Sequence, residues 1–408
     1  MLIYEYKLDG NQQQYRAIEE AMRIVQFIRN KCLRTWMDGR GASKNDLQCS
    51  CAVLAREYSF AAPLNSQARQ ASADRAWAAI TRFYVNCKNK KPGKKGYPRF
   101  QHDNRSVEYK QTGWRIEPDG KHISFTDGCG IGRLRLVGNK KQSVETFPIK
   151  EIKRVRIVRR ADGYYCQFVV HAERKIEHRS TGKQVGIDVG LQTYYTDSDG
   201  TTVENPRYYR KAEKRLKRLH RELSRKKKGS TNRKKARKHL ARAYLKVQRQ
   251  REDFARKTAN ALVTSSDLIA YENLKIANMV KNRRLSKSIS DAAWGGFLRW
   301  VKYYASVHQI ELIAVAPQFT SQDCFACGTR VKKSLSVRTH ICHGCGMVLD
   351  RDHNAAKNIL DAALLILLLR AFAGTVGQTG TSSAEENASG QPASTRLSPR
   401  RKMGKRAG

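Results

Sequence analysis

Acidic side chains are scarce in this sequence, and long apolar runs are missing from it. Its 408 residues carry 36 Asp+Glu against 79 Lys+Arg, a formal net charge of +43. A charge of that size repels itself unless a polyanion neutralises it. Nucleic acid is the expected polyanion, because basic side chains displace the counterions condensed on phosphates. A hydrophobic content of 40% excludes a disordered basic tail, and the length allows two or three cores. The longest aliphatic stretch, Ala362 to Leu369, falls far short of the ~20 residues that span a bilayer, so no membrane partner is expected. The opening residues Met1 to Asp9 lack the basic-then-apolar order of a secretion signal, which predicts a cytoplasmic, nucleoid-associated protein. No His-x-His pair occurs, which excludes the single-strand transposase chemistry that needs one beside a catalytic tyrosine. Of the ten cysteines, four cluster at metal spacing and six are scattered, so a disulfide framework is not expected.

The periodicity changes three times along the chain. Residues 1–9 alternate as a short strand. From Asn11, Ile18, Met22, Val25, Ile28 and Cys32 recur at three- and four-residue steps, and Trp77, Ile80 and Phe83 repeat the pattern within a block from Ser66 to Cys87. The segment around Cys49–Cys51 reads as helix too, and the Lys/Gly/Pro run from Lys88 to Gly96 as a loop. Short β-like runs follow at Tyr97–Phe100, Ser106–Tyr109, Ile123–Phe125, Leu134–Val137, Val155–Val158 and Tyr164–Val170, a density that suggests a small barrel or sandwich. Beyond residue 183, strands at Gln184–Gly190, Tyr194–Asp197, Leu268–Glu272 and Leu312–Ala316 alternate with helices, which points to an α/β core. Between them, Arg210 to Lys257 holds 22 Lys/Arg and four acidic residues. Leu216, Leu219 and Leu223, then Leu240, Tyr244 and Val247, mark a thin apolar seam, so this stretch reads as an antiparallel helical hairpin turning near Gly229–Ser230. Its one-sided charge suits the tracking of phosphates. Arg225, Lys226, Lys227, Lys228, Arg233, Lys234 and Lys235 at the turn are candidate nucleic-acid contacts.

Two clusters carry chemistry. Cys324-x-x-Cys327 and Cys342-x-x-Cys345, each followed by Gly and separated by fourteen residues, let four thiolates converge on one structural Zn²⁺ with no position left for water. His343, inside the second knuckle, is expected to face solvent. Three acids also stand out: Asp188 and Glu272 each end an apolar strand, and Asp352 lies where a loop enters a helix. A carboxylate at the end of a buried strand is costly unless a cation holds it, and Mg²⁺ would resolve this through hard oxygen ligands. Each acid also has a plainer reading: Asp188 as a strand end, Glu272 as an ion-pair partner, Asp352 as a helix cap. Placement alone does not choose between them.

The order of motifs resembles the TnpB (OrfB) family, transposon-encoded relatives of type V CRISPR effectors. It is carried by Gly186-Ile187-Asp188-Val189-Gly190, the basic hairpin, Tyr271-Glu272-Asn273-Leu274, Trp294-Gly295, Thr320-Ser321-Gln322, both CxxCG pairs and Asp350-Arg351-Asp352-His353-Asn354-Ala355-Ala356-Lys357-Asn358-Ile359. Gly96–Phe100 and Arg29-Asn30 extend it more weakly towards the N-terminus. The resemblance implies an RNase H-like (RuvC-type) nuclease core over 183–318 and 349–373, its basic hairpin at 208–263. A zinc ribbon would be inserted at 319–348. Residues 1–10 and 96–182 would form a wedge-like β-barrel carrying a helical recognition lobe at 11–95, with a disordered basic tail at 374–408 shaped by RNA coding. It further implies a prokaryotic, RNA-guided endonuclease of a transposable element that cuts double-stranded DNA next to a short target-adjacent motif. Asp188 would bridge two Mg²⁺ (or Mn²⁺) ions, Glu272 and Asp352 would hold one each, Asp350 would support them, and Arg338 would contact the scissile phosphate. The partners are a guide RNA and the target DNA. The aliphatic Leu364–Leu369 hints at a buried or dimer-facing surface, and the number of chains per RNA does not follow from the sequence. Two other classes fit parts of the pattern, an RNA-guided binding protein without cleavage and a plain zinc-ribbon DNA-binding factor. The three intact acids favour the nuclease.

Overall fold

Leu2, Tyr4, Tyr6 and Leu8 point to one side of the opening strand while Ile3, Glu5 and Lys7 stay exposed, and this strand sits inside the first sheet. The computed structural model describes residues 1–39, 41–138, 148–334 and 336–376. In its N-terminal half, β1 (Leu2–Asp9) is followed by α1 (Gln12–Gly39), α2 (Lys44–Glu57) and α3 (Ser66–Lys88). Then come β2 (Ser106–Tyr109), β3 (Trp114–Ile116), β4 (His122–Phe125), β5 (Gly132–Val137), β6 (Ile152–Arg160) and β7 (Gly163–Val170). The strands form an antiparallel sheet in the order β2-β6-β7-β1-β5-β4-β3; among the described residues no ladder joins its two edges. Ile18, Met22, Val25, Ile28 and Cys32 of α1 are all buried in one core with Leu8 and Phe168, as their helical spacing requires. Ser43 and Asp46 close a capping box at the start of α2.

Two strand assignments change. Tyr97–Phe100 joins no ladder. The chain here lies against α1, where the Asn30 amide both accepts from Gln101 N (2.9 Å) and donates to Gln101 O (2.9 Å), while Arg29 donates to Arg99 O. These side-chain bonds do the work that a neighbouring strand would do, which is also why Arg29-Asn30 and Gly96–Phe100 belong together. In addition, β3 occupies three residues too short to show a period.

The C-terminal half begins with β8 (Gln184–Val189), β9 (Thr193–Asp197), β10 (Thr202–Glu204), α4 (Tyr208–Ser224), α5 (Thr231–Thr264) and β11 (Leu268–Glu272). It continues with α6 (Ile276–Met279), α7 (Ser286–Ala292), α8 (Trp294–His308), β12 (Glu311–Val315), β13 (Thr339–Ile341), β14 (Val348–Asp350) and α9 (Arg351–Val376). The sheet order is β10-β9-β8-β11-β12, with β8, β11 and β12 parallel and β9 and β10 antiparallel. Parallel strands need crossovers and are covered on both faces. Val185, Ile187, Ile269 and Tyr271 face α5 and α8. Leu268, Ala270, Ile313 and Val315 face Ile359 and Ala363 of α9.

The hairpin α4–α5 turns at Gly229 (φ 86) with Ser230 as the cap of α5. Leu216, Leu240 and Val247 are buried in its seam. Tyr244 is not; it stands 38% exposed with its hydroxyl 2.8 Å from His220 Nε2. Helix α9 runs without a break from Arg351 to Val376. It therefore takes in residues 374–376 of the expected tail, and residues 377–408 lie outside the described residues. On α9, Leu367 packs on the core, but Leu365, Leu368 and Leu369 are more than half exposed. No helix of the described residues is long and apolar enough to cross a membrane.

One glycine sets the spacing of this half. A Cβ on Gly186 would stand 2.2 Å from Ala356 O and 2.7 Å from Leu360 N, so the backbone of α9 rests directly on β8. Gly186→Ala should therefore lower the unfolding free energy by about 3 kcal/mol through overpacking against backbone. Gly39→Ala, where nothing lies within 4 Å, should be neutral. Chemical denaturation of the two variants beside the parent checks this.

Candidate active site and cysteine cluster

Period-two alternation fixes where two of the three acids point. On β8, Asp188 shares parity with Gly186, and on β11, Glu272 shares parity with Leu268 and Ala270; these are the positions facing α9. Ile187 pairs with Tyr271 in the parallel register, so Asp188 and Glu272 stand one residue beyond that pair, side by side at the carboxyl ends of adjacent strands. The third acid arrives on α9. Asp350 caps this helix, its Oδ1 accepting from the N–H of Asp352 (2.9 Å) and of His353 (3.1 Å), which leaves the Asp352 carboxylate free of capping. A Cβ on Gly190, just past β8, would come 3.7 Å from Asp352 Oδ2, so Asp352 lies over the end of β8.

Burial raises all three acids, and Asp188 also feels the charge of the other two. Burial pushes the Asp188 carboxyl well above the usual carboxylate range, and the charges of Glu272 and Asp352 push it further. Burial likewise raises Glu272, against a hydrogen bond from Thr320. Asp352 is raised by burial and opposed by Arg338, whose Nη1 lies 3.1 Å and 3.3 Å from its two oxygens. Such a donor set demands positive charge. Arg338, with Arg351 nearby, supplies part of it. Among the described residues, the three carboxylates are not drawn within 4.8 Å of one another, a spacing that the cysteine quartet alone reaches.

The four Sγ atoms of Cys324, Cys327, Cys342 and Cys345 all lie within 4.8 Å of each other. Each knuckle is closed by a backbone bond onto its first cysteine, Gly328 N to Cys324 O and Gly346 N to Cys342 O, with both glycines at φ above 70°. The hydroxyl of Thr329 beside Cys327 lowers that thiol to about 6. This quartet can hold one metal ion, and an all-sulfur set of four suits zinc. His343 is exposed, as expected.

A pair of asparagines joins the two clusters. Asn354 donates to Asp323 O and accepts from Phe325 N, and Asn358 donates to Thr320 O and Asp323 O. They sit four residues apart on α9 and so share one face. They clamp the entry to the cysteine segment, whose Thr320 in turn holds Glu272. Six residues of the run from Asp350 to Asn358 thereby have a structural role: Asp350 as cap, Asp352 as acid, Asn354 and Asn358 as clamps, and Ala355 and Ala356 as small buried residues.

A family model described as OrfB_IS605, probable transposase, matches residues 167–283, and one for the Cas12f1-like TNB domain matches residues 294–359. A Streptomyces pristinaespiralis protein named as a candidate RNA-guided DNA endonuclease is 29% identical, over 88% of this chain and 89% of its own. Escherichia coli InsQ, named in the same way, is 28% identical over 71% and 73%. Across these two stretches the chain is similar to proteins of the TnpB (OrfB) family. The solved Cas12f1–sgRNA–target DNA complex matches this chain over 86% of its length and 83% of the other chain, at 14% identity and a TM-score of 0.53. That likeness establishes a shared mixed α/β fold.

The basic hairpin is long. Helix α5 has 34 residues, about 50 Å at 1.5 Å per residue, and its tip carries the exposed Arg225, Lys226, Lys227, Lys228, Lys234 and Lys235. Arg233 differs from these. Its guanidinium donates to Leu223 O (2.8 Å) and Lys226 O (2.9 Å) and so closes the end of α4. The roles of Asn354, Asn358 and Thr320 were not read from the sequence. The available signal was polar residues repeated at four-residue spacing on an otherwise apolar helix face.

Purified protein should carry one Zn²⁺ by elemental analysis, and Cys342→Ser should lose it. Because the cysteine segment is clamped to α9, the same variant should also become far more sensitive to proteolysis between residues 319 and 348.

Proposed function

We propose that this chain is a guide-RNA-bound, divalent-metal-dependent DNA endonuclease of a transposable element, cutting double-stranded DNA beside a short target-adjacent motif. The observation that supports this best is the convergence of Asp188, Glu272 and Asp352 from β8, β11 and α9, each with a raised carboxyl pKa, in a chain of charge +43. Structural carboxylates are normally held down by a partner; three raised together form a site that is completed by cations. The strand order, with an antiparallel β10-β9-β8 edge and parallel β11 and β12, fits an RNase H-like core with acids at the strand ends.

The donor set fits two Mg²⁺ or Mn²⁺ ions: three hard carboxylates on rigid elements, with Arg338 and Arg351 offsetting part of their charge. Asp188, Glu272 and Asp352 would hold the ions, which when bound supply an activated water and stabilise the leaving oxygen of a phosphodiester. Thr320 fixes the orientation of Glu272, and Asp350 fixes that of Asp352 by capping its helix. Arg338, 3.1 Å from Asp352, is placed to meet the phosphate once that carboxylate turns to a metal. The guide RNA would read the target by pairing, while the basic surfaces hold the backbones.

Protein purified with its co-expressed RNA and given a matching target should cut DNA only with Mg²⁺ or Mn²⁺ present. Asp188→Ala should reduce the cleavage rate by at least ~10³-fold, on the scale of losing a charged catalytic group, while RNA and target binding persist. Cleavage by that variant at the parent rate would sink the site assignment.

A further inference from the structure

Beside the carboxylates lies a cleft of about 650 Å³ whose lining includes Arg207, Arg210, Arg338, Gln192, Asn205 and Asp291. Arg338 leads from this cleft to the acids through its contact with Asp352. Most of the other polar groups are engaged. The Asp291 carboxylate accepts from the N–H groups of Tyr209 (2.7 Å) and Arg210 (3.0 Å) and so satisfies the start of α4. Arg210 donates to Ser288 Oγ and approaches Glu213. The Asn205 amide donates to Leu191 O. Because Asp291 already occupies the helix N-terminus, any anion affinity here belongs to side chains.

Arg207 stands out from this set. Its guanidinium is exposed and has no hydrogen bond or ion pair among the described residues. Its backbone is left-handed (φ 49, ψ 45), which a residue with a Cβ rarely adopts. The main chain around it is nevertheless held, Arg207 N by Asn205 Oδ1 (3.2 Å) and Arg207 O by Lys211 N (2.9 Å). A strained backbone thus presents an unpaired cation to a cleft whose lining includes Arg338, the partner of Asp352.

We propose that Arg207 binds a phosphate of the DNA strand being cut, a short way along that strand from Asp352, so that Arg338 and Arg207 hold the strand at two points. This rests on the nuclease reading above. A planar guanidinium matches a phosphate through two parallel N–H bonds.

The test uses full-length protein assembled with its RNA, a matched target and Mg²⁺, followed in single turnover at several salt concentrations. Arg207→Gln should slow cleavage by about tenfold or more, the scale of a lost charge-assisted hydrogen bond. It should also lower the slope of log rate against log salt by about 0.7, the value for one phosphate contact on a single strand. Target binding should be unchanged, and Arg207→Lys should recover most of the rate. Arg207→Gly, which relieves the left-handed strain, should cut as slowly as Arg207→Gln while melting at or above the parent temperature. Parent protein that cuts no DNA under any condition overturns the nuclease reading itself. Parent protein that cuts, beside an Arg207→Gln that keeps its rate and salt slope, overturns only the role of Arg207. So does a loss that follows melting temperature and is not restored by Lys.

Discussion

The contact between α9 and β8 is the constraint on which the rest of this half depends. At Gly186 the helix backbone comes closer than any side chain would allow, and small residues on α9, Ala355 and Ala356, are fully buried there. That approach sets the height of the helix above the sheet. Two residues along the strand from Gly186 stands Asp188, and one turn up the helix from Ala356 stands Asp352. The packing that buries Ile359 and Ala363 against Leu268 and Ala270 is therefore also what fixes the separation of the acids. Core packing tolerates little displacement, so the site inherits the rigidity of the core.

The price of that rigidity is electrostatic. Three acids are held where burial pushes their carboxyl groups upward, Asp188 further raised by the charges of the other two, and the fold keeps them there with fixed cations and neutral donors. Arg338 holds Asp352 and Thr320 holds Glu272, and both holders lie on the segment that also contains the cysteine quartet. A structural metal at the quartet would thus act on the carboxylates through a short path of hydrogen bonds: knuckle, Asp323 and Thr320 carbonyls, Asn354 and Asn358, then α9. The zinc-type cluster and the acid cluster are separate in chemistry and coupled in position.

Much of this was legible in the residues because the relevant signals are local. Helical spacing in α1 named its buried face, four cysteines at knuckle spacing came together, and Asp188 and Glu272 were found as polar ends of apolar strands. What stayed hidden depends on contacts between distant segments. Tyr97–Phe100 has strand-like residues, yet side chains of α1 satisfy its neighbourhood. β3 has three residues, too few to show a period. Arg233 is one of a run of cations and cannot be told from its neighbours until its two carbonyl partners are in place. Asp352 had a plain reading as a helix cap, and only the geometry shows that Asp350 does the capping.

The same distinction separates the many cations of this chain by what they can do. Exposed lysines and arginines at the hairpin tip suit the sequence-independent holding of a backbone. A cation that must place a strand for reaction needs a fixed origin. Arg338 obtains one just before β13, where Arg351 N at the start of α9 donates to its carbonyl (2.6 Å), and Arg207 from bonds at both its own N–H and its own C=O. Fixing a residue in the left-handed region is unfavourable by itself, and it persists only where the surroundings over-determine it. Here they do so through Asn205 on one side and the first turn of α4, capped by Asp291, on the other. The fold thus directs a cation at this cleft against its local preference, while leaving the numerous cations elsewhere to ordinary side-chain freedom.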